Sequence, residues 1–136
     1  DTTMIPLTRF ATYKGLPICI FLSAEKIEEV AKSTMVGGAT LTGLLGTSAW
    51  YAPGAAGAFV VEAILHNQMK LVPCSVSLEG EYGETDICCG VPVILGKNGI
   101  EKIVELPLDE AEKAAFKASA DAVRKVNGAL KEVGAL

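Results

Sequence analysis

Hydrophobic positions change period three times along this chain, and each change predicts an element. Met4 to Tyr13 reads as a strand, with Leu7, Phe10 and Ala11 its partly apolar positions. Pro6 makes it an edge or interrupted strand, because proline has no ladder N–H to donate. Gly15-Leu16-Pro17 turns the chain. Ser23 is placed as an N-cap, and Glu25 suits the positive end of the helix that follows. Ile27, Val30, Ala31, Thr34, Gly38, Leu41 and Leu45 then recur at intervals of three and four, one buried face of a long helix. Gly37-Gly38 lies inside it, where each glycine costs about 1 kcal/mol relative to alanine. A kink or a close contact is the expected compensation. Pro53 suits the first turn of a second helix, with Ala56, Phe59, Val60, Ala63 and Ile64 as its buried stripe.

The middle of the chain turns to a period of two. Val72, Cys74, Val76 and Leu78 alternate with Ser75 and Ser77, a half-buried strand that Gly80-Glu81-Tyr82-Gly83 ends. Ile87 to Leu95 is apolar on both faces, which predicts a strand covered on both sides, with Pro92 at an edge or bulge. Lys97-Asn98-Gly99 is a hairpin signal, and Ile100 to Leu106 returns as a third strand. Asp109 followed by Glu112 forms a capping-box pattern before a last helix. Phe116, Ala120, Val123, Val126, Leu130 and Val133 give that helix its stripe. The predicted class is α+β: a meander-like antiparallel sheet packed with long helices.

With 136 residues, the chain fits one domain around one core. Half its residues are hydrophobic and only 21% are charged, so part of its apolar surface is expected to lie under a partner. The net charge of −4 and the lack of a basic run argue against nucleic acid. No apolar run is long enough to span a membrane. The cysteines Cys19, Cys74, Cys88 and Cys89 make no C-x-x-C pair, and His66 is the sole histidine, which argues against zinc. In a strand, Cys88 and Cys89 face opposite sides. The four thiols read as small hydrophobes in a reducing compartment.

Candidate chemistry is sparse. There is no G-x-G and no P-loop, so the chain has no sequence case for holding a nucleotide. His66, in Leu65-His66-Asn67-Gln68, reads as an exposed helix-terminal residue with no nucleophile spaced to partner it. Glu79, Glu81, Glu84 and Asp86 read as a solvated hairpin tip rather than a calcium loop. The segment that stands out is Gly37-Gly38-Ala39 followed by Gly46 to Gly54, two helices joined through small residues that let a backbone come close to a neighbour.

Several motifs in order and spacing resemble one family. They are Asp1 to Leu7, Val36-Gly37-Gly38-Ala39, Ser48-Ala49-Trp50-Tyr51-Ala52-Pro53, Leu78-Glu79-Gly80-Glu81-Tyr82-Gly83, and Gly90-Val91-Pro92 with Gly96-Lys97-Asn98-Gly99-Ile100-Glu101. The chain resembles the C-terminal half of the lactate/malate dehydrogenases, in their bacterial, lactate-dehydrogenase-like malate branch. The resemblance implies a substrate-binding and oligomerisation domain over residues 1–136, with the NAD-binding Rossmann domain absent from this chain. It places Asp1 in the family's Gly-Gly-His-Gly-Asp motif, so the catalytic histidine would lie two residues upstream, and His66 is not that residue. No catalytic residue and no metal ligand is therefore expected here. The resemblance implies a pocket wall made by Ala49, Pro53, Gly37, Gly38 and Ala39. Ala49 would stand where lactate dehydrogenases tend to carry threonine, and Pro53 would face the nicotinamide. For the parent it implies NAD, malate and oxaloacetate, a homodimer or homotetramer, and a cytoplasmic enzyme; no NAD is expected on this fragment. A lactate dehydrogenase domain and a non-catalytic packing module are the alternatives.

Overall fold

The computed structural model describes residues 3–132 and 134. The chain divides into two compact units at the Ala49–Trp50 boundary.

The first unit carries little regular structure before its helix. Instead of a strand from Met4, the chain runs irregularly to a 3-10 turn at Thr8–Phe10. Only then does it form a minimal hairpin, β1 (Thr12–Tyr13) with β2 (Leu16–Pro17). Lys14 and Gly15 make the turn with φ of 50° and 82°. Pro6 explains part of the difference, since its carbonyl accepts the Thr8 N–H at 2.9 Å and curls the backbone away from an extended course. A second 3-10 turn spans Ile18–Ile20, and helix α1 spans Ala24–Leu45. Ser23 caps it, its hydroxyl accepting the Lys26 N–H at 3.3 Å. The expected apolar face is present in α1, but none of its residues is buried within this unit.

The second unit holds the core. Helix α2 spans Tyr51–Leu65, and strands β3 (Lys70–Glu79), β4 (Thr85–Gly96) and β5 (Gly99–Ile103) form an antiparallel meander in the order β3-β4-β5. Helix α3 spans Glu110–Glu132. Buried Ile87, Cys89, Val91, Val93 and Leu95 alternate along β4 and pack with Leu78 of β3, Ala63 of α2 and Ala120 of α3. The β4 prediction is corrected here: only one of its faces is buried, and Cys88 and Gly90 on the other are exposed. Pro92 marks no edge either. It lies in the central strand opposite Pro73, and its carbonyl accepts the Val104 N–H at 2.8 Å. The third strand stops at Ile103, three residues short of Leu106 as expected.

The helix stripes are buried only in part. On α2, Ala63 is buried and Val60 and Ile64 are half-buried, whereas Ala56 and Phe59 are exposed. On α3, Phe116, Ala120 and Val123 meet the core, while Val126 and Leu130 are exposed. Val133 lies outside the described residues. The capping box forms reciprocally: Glu112 N–H donates to Asp109 Oδ1, and Asp109 N–H to Glu112 Oε2, each at 2.9 Å.

The β4–β5 hairpin closes through Lys97 and Asn98, with Gly96 paired to Gly99. Gly96 has room for a Cβ only if the Met69 and Glu101 side chains shift. A Cβ there would stand 2.7 Å from Met69 Sδ and 2.8 Å from Glu101 Cγ. Glu101 uses the vacated space to accept the Asn98 backbone N–H and its side-chain Nδ2–H, both at 3.0 Å. Those hydrogen bonds hold its carboxyl below the usual carboxylate range. Because the folded state then binds that proton less tightly than the unfolded chain, the latch contributes above the ordinary glutamate pKa of ~4.3 and is lost as pH falls through the lower folded value. Gly96→Ala is expected to cost about 1–3 kcal/mol by overpacking. Urea unfolding of the variant measures this; an unchanged midpoint would show that Met69 and Glu101 move aside freely.

Candidate functional site

The five residues of the expected pocket wall divide between the two units. Gly37, Gly38 and Ala39 lie in succession in the interior of α1, all exposed, with the helix running unbroken through them. A Cβ added at Gly37 or Gly38 would meet nothing within 4 Å, so the close contact expected to compensate them does not occur among the described residues. Gly46 ends α1 in the left-handed region at φ 68°, its N–H donating to Thr42 O at 2.9 Å. Thr47 and Ser48 lead to Ala49, which is half-buried at the end of the first unit.

In the second unit Trp50 and Tyr51 open α2 with side chains 71% and 95% exposed. Pro53 follows in the first turn, where a missing N–H leaves no helical bond unmade. The Gly54 N–H bonds Trp50 O at 3.0 Å. None of these five wall residues titrates, and none carries a side-chain donor or acceptor. What they can contribute is shape: small volume, close backbone approach and a rigid proline.

Titratable groups elsewhere build structure. His66 is exposed and caps α2 through its backbone, donating to Glu62 O at 3.0 Å. Among the described residues no group of three or more His, Cys, Asp or Glu comes together to hold a metal. No helix among them is long and apolar enough to cross a membrane. All four cysteines are free, Cys88 exposed and Cys89 buried as alternation along a strand requires. Burial, first, and the Glu84 carboxylate push the Cys89 thiol pKa up, so it is held as the neutral hydrophobe.

The acidic turn is where the expectation of a solvated tip fails. Glu84 is only 6% exposed. Arg124 of α3 meets it at 2.6 Å and also donates to Thr85 O and Asp121 Oδ1, each at 3.2 Å. The pairing with Glu84 raises the Arg124 pKa. Beside it, Tyr82 takes φ 55°, its hydroxyl donating to Val104 O at 2.6 Å and accepting the Leu106 N–H at 3.0 Å. Glu81 accepts the Glu79 N–H at 2.7 Å, which with its own backbone N–H lowers its carboxyl pKa. The partner of Glu84 is forty positions along the chain, so spacing inside the turn carried no sign of it. Replacing Arg124 by methionine is expected to destabilise the chain, because the Glu84 carboxylate, only 6% exposed, loses its cation. Glu84→Gln/Arg124→Met should recover part of that loss in urea titrations, and an Arg124→Met chain as stable as the parent would deny the pair its role.

Comparison with known proteins places this architecture. A family model described as the lactate/malate dehydrogenase alpha/beta C-terminal domain matches residues 2–132. The chain is similar to a malate dehydrogenase of Bacteroides thetaiotaomicron, 78% identical over 136 residues, which are all of this chain and 44% of that protein. It is 62% identical over 133 residues to the malate dehydrogenase of Flavobacterium frigidimaris, covering 98% of this chain and 43% of that one. Among solved structures, the malate dehydrogenase of Salinibacter ruber superposes with a TM-score of 0.90 at 42% identity, over 97% of this chain and 44% of the other. The lactate dehydrogenase of Eimeria maxima, solved with NADH and oxamate, gives 0.94 at 34% identity, over 98% and 42%. The chain thus spans less than half the length of the curated relatives it matches.

Proposed function

This chain belongs to the lactate/malate dehydrogenase family, in its C-terminal domain, and from that membership we propose that it is the substrate-domain part of an NAD-dependent malate dehydrogenase. The observation that carries the reading is 78% identity to a malate dehydrogenase across every residue of the chain. The fold by itself does not separate malate from lactate, since a lactate dehydrogenase superposes as closely as a malate dehydrogenase does. Sequence favours malate: the relatives at 62–78% identity carry that name.

In this reading Ala49 forms the substrate wall, with Gly37, Gly38 and Ala39 at the cleft edge and Pro53 toward the nicotinamide. The support is their chemistry. A half-buried alanine leaves room for a second carboxylate and selects by shape alone, and a proline in a first helical turn makes a stiff wall. The described residues offer no dinucleotide cradle: strand pairing is antiparallel throughout and no G-x-G occurs. NAD, which supplies the hydride acceptor when bound, is therefore assigned to the whole enzyme rather than to these residues. What this domain does for the reaction is close the site and exclude water, which strengthens the electrostatics within.

We assign the whole enzyme to a homo-oligomer in the cytoplasm. Leu44, Trp50, Tyr51 and Leu65 are large and exposed, which supports burial against other parts of the enzyme. The four free thiols support a reducing compartment.

The test is NADH oxidation by the full-length enzyme with oxaloacetate and with pyruvate. Strong oxaloacetate turnover with little pyruvate turnover is expected; a preference for pyruvate would move the enzyme to the lactate branch, and no turnover would remove the activity. Ala49→Thr adds volume to the wall and is expected to lower kcat/KM for oxaloacetate about tenfold or more, the size of one mismatched group in a tight pocket. Unchanged kinetics would take Ala49 out of the substrate wall.

A further inference from the structure

We propose that Asn98 is a site of spontaneous deamidation and that Glu101 sets how fast it reacts. The chain has three asparagines, Asn67, Asn98 and Asn127, and two of them precede glycine. Deamidation needs the backbone N of the next residue to reach the side-chain Cγ, and glycine obstructs that approach least. The two Asn-Gly pairs sit in opposite surroundings. Asn127-Gly128 lies inside α3, where the helical ladder fixes both backbones. Asn98-Gly99 lies at the exposed hairpin tip, with Gly99 at φ 92°. Asn67 precedes Gln68, whose side chain hinders attack, and its Oδ1 is held by the Lys97 N–H at 2.9 Å.

Beyond the pairing of Gly99 with Gly96, the restraint on the Asn98 side chain is one carboxylate. Its Nδ2 donates to Glu101 Oε1 at 3.0 Å and Oε2 at 3.2 Å, and its backbone N–H donates to Oε1 at 3.0 Å. Glu101 in turn sits over Gly96, in space that a Cβ would fill. Swinging the amide toward the Gly99 nitrogen breaks these side-chain bonds, so Glu101 slows the reaction.

The step balances without a cofactor. Gly99 N loses its proton and bonds Asn98 Cγ; the Cγ–Nδ2 bond breaks, and the nitrogen leaves as ammonia with that proton. Water then opens the five-membered imide at either carbonyl, giving aspartate or isoaspartate. No atom is oxidised or reduced. Either product removes the Nδ2 donor that Glu101 held, leaving it the backbone N–H, and sets a carboxylate against it. Isoaspartate also lengthens a loop of two residues, so the change loosens the Gly96–Gly99 closure.

The experiment is warm incubation of the full-length protein at mildly alkaline pH, with peptide mass mapping of all three asparagines over time. Asn98 should convert first, and Glu101→Gln and Glu101→Ala should each convert several-fold faster at Asn98 with Asn127 unchanged. Should Glu101→Ala unfold, its rate will match that of the urea-unfolded chain and Glu101→Gln carries the comparison. Conversion of Asn127 or Asn67 ahead of Asn98 would overturn the site. An Asn98 rate indifferent to Glu101→Gln in a folded protein would overturn the role of Glu101.

Discussion

The second unit depends on burying one face of its central strand. Ile87, Cys89, Val91, Val93 and Leu95 turn inward along β4, and Leu78, Ala63 and Ala120 close over them. The two helices contribute alanines at the buried contact, which lets them approach the sheet. Full burial of a large aliphatic side chain is worth about 1.5–3 kcal/mol, so this row outweighs the exposed ion pairs of the helices, each worth about 1 kcal/mol or less. The polar pieces hold the ends of the row. Glu84 and Arg124 fasten α3 beside the start of β4, and Tyr82 ties the turn to the segment after β5 through its hydroxyl.

The first unit is organised differently. It has a capped helix of 22 residues and a closing glycine, yet no buried side chain among its described residues. A helix of that kind draws most of its stability from the packing of its apolar face. Small residues in α1 and at the Ala49–Pro53 junction suit surfaces completed by something beyond the unit.

Local signals were legible where one residue satisfies a neighbouring backbone. Ser23, the Asp109–Glu112 box and the Asn98-Gly99 hairpin each act within four positions, and each formed where the pattern placed it. The alternation Val72–Leu78 was equally plain, because a period of two is a property of the strand itself. The strand expected from Met4 failed because a few apolar positions do not make a strand without a partner to pair with. The proposed site wall rests on resemblance alone, since glycine, alanine and proline carry no chemistry that spacing could reveal.

The sequence by itself determined where α1 and α3 begin, which residues of β3 turn inward, and that the glycines, alanines and proline named through the resemblance bring no titrating group. These are consequences of backbone capping, periodicity and side-chain inventory, all readable within a few residues. Tertiary structure alone decided that β4 is central with one buried face, that Glu84 is a buried carboxylate paired with Arg124, and that Glu101 seats over Gly96 where a Cβ would crowd it. Each of those rests on groups brought together across the fold, where burial and charge are set by neighbours distant in the chain.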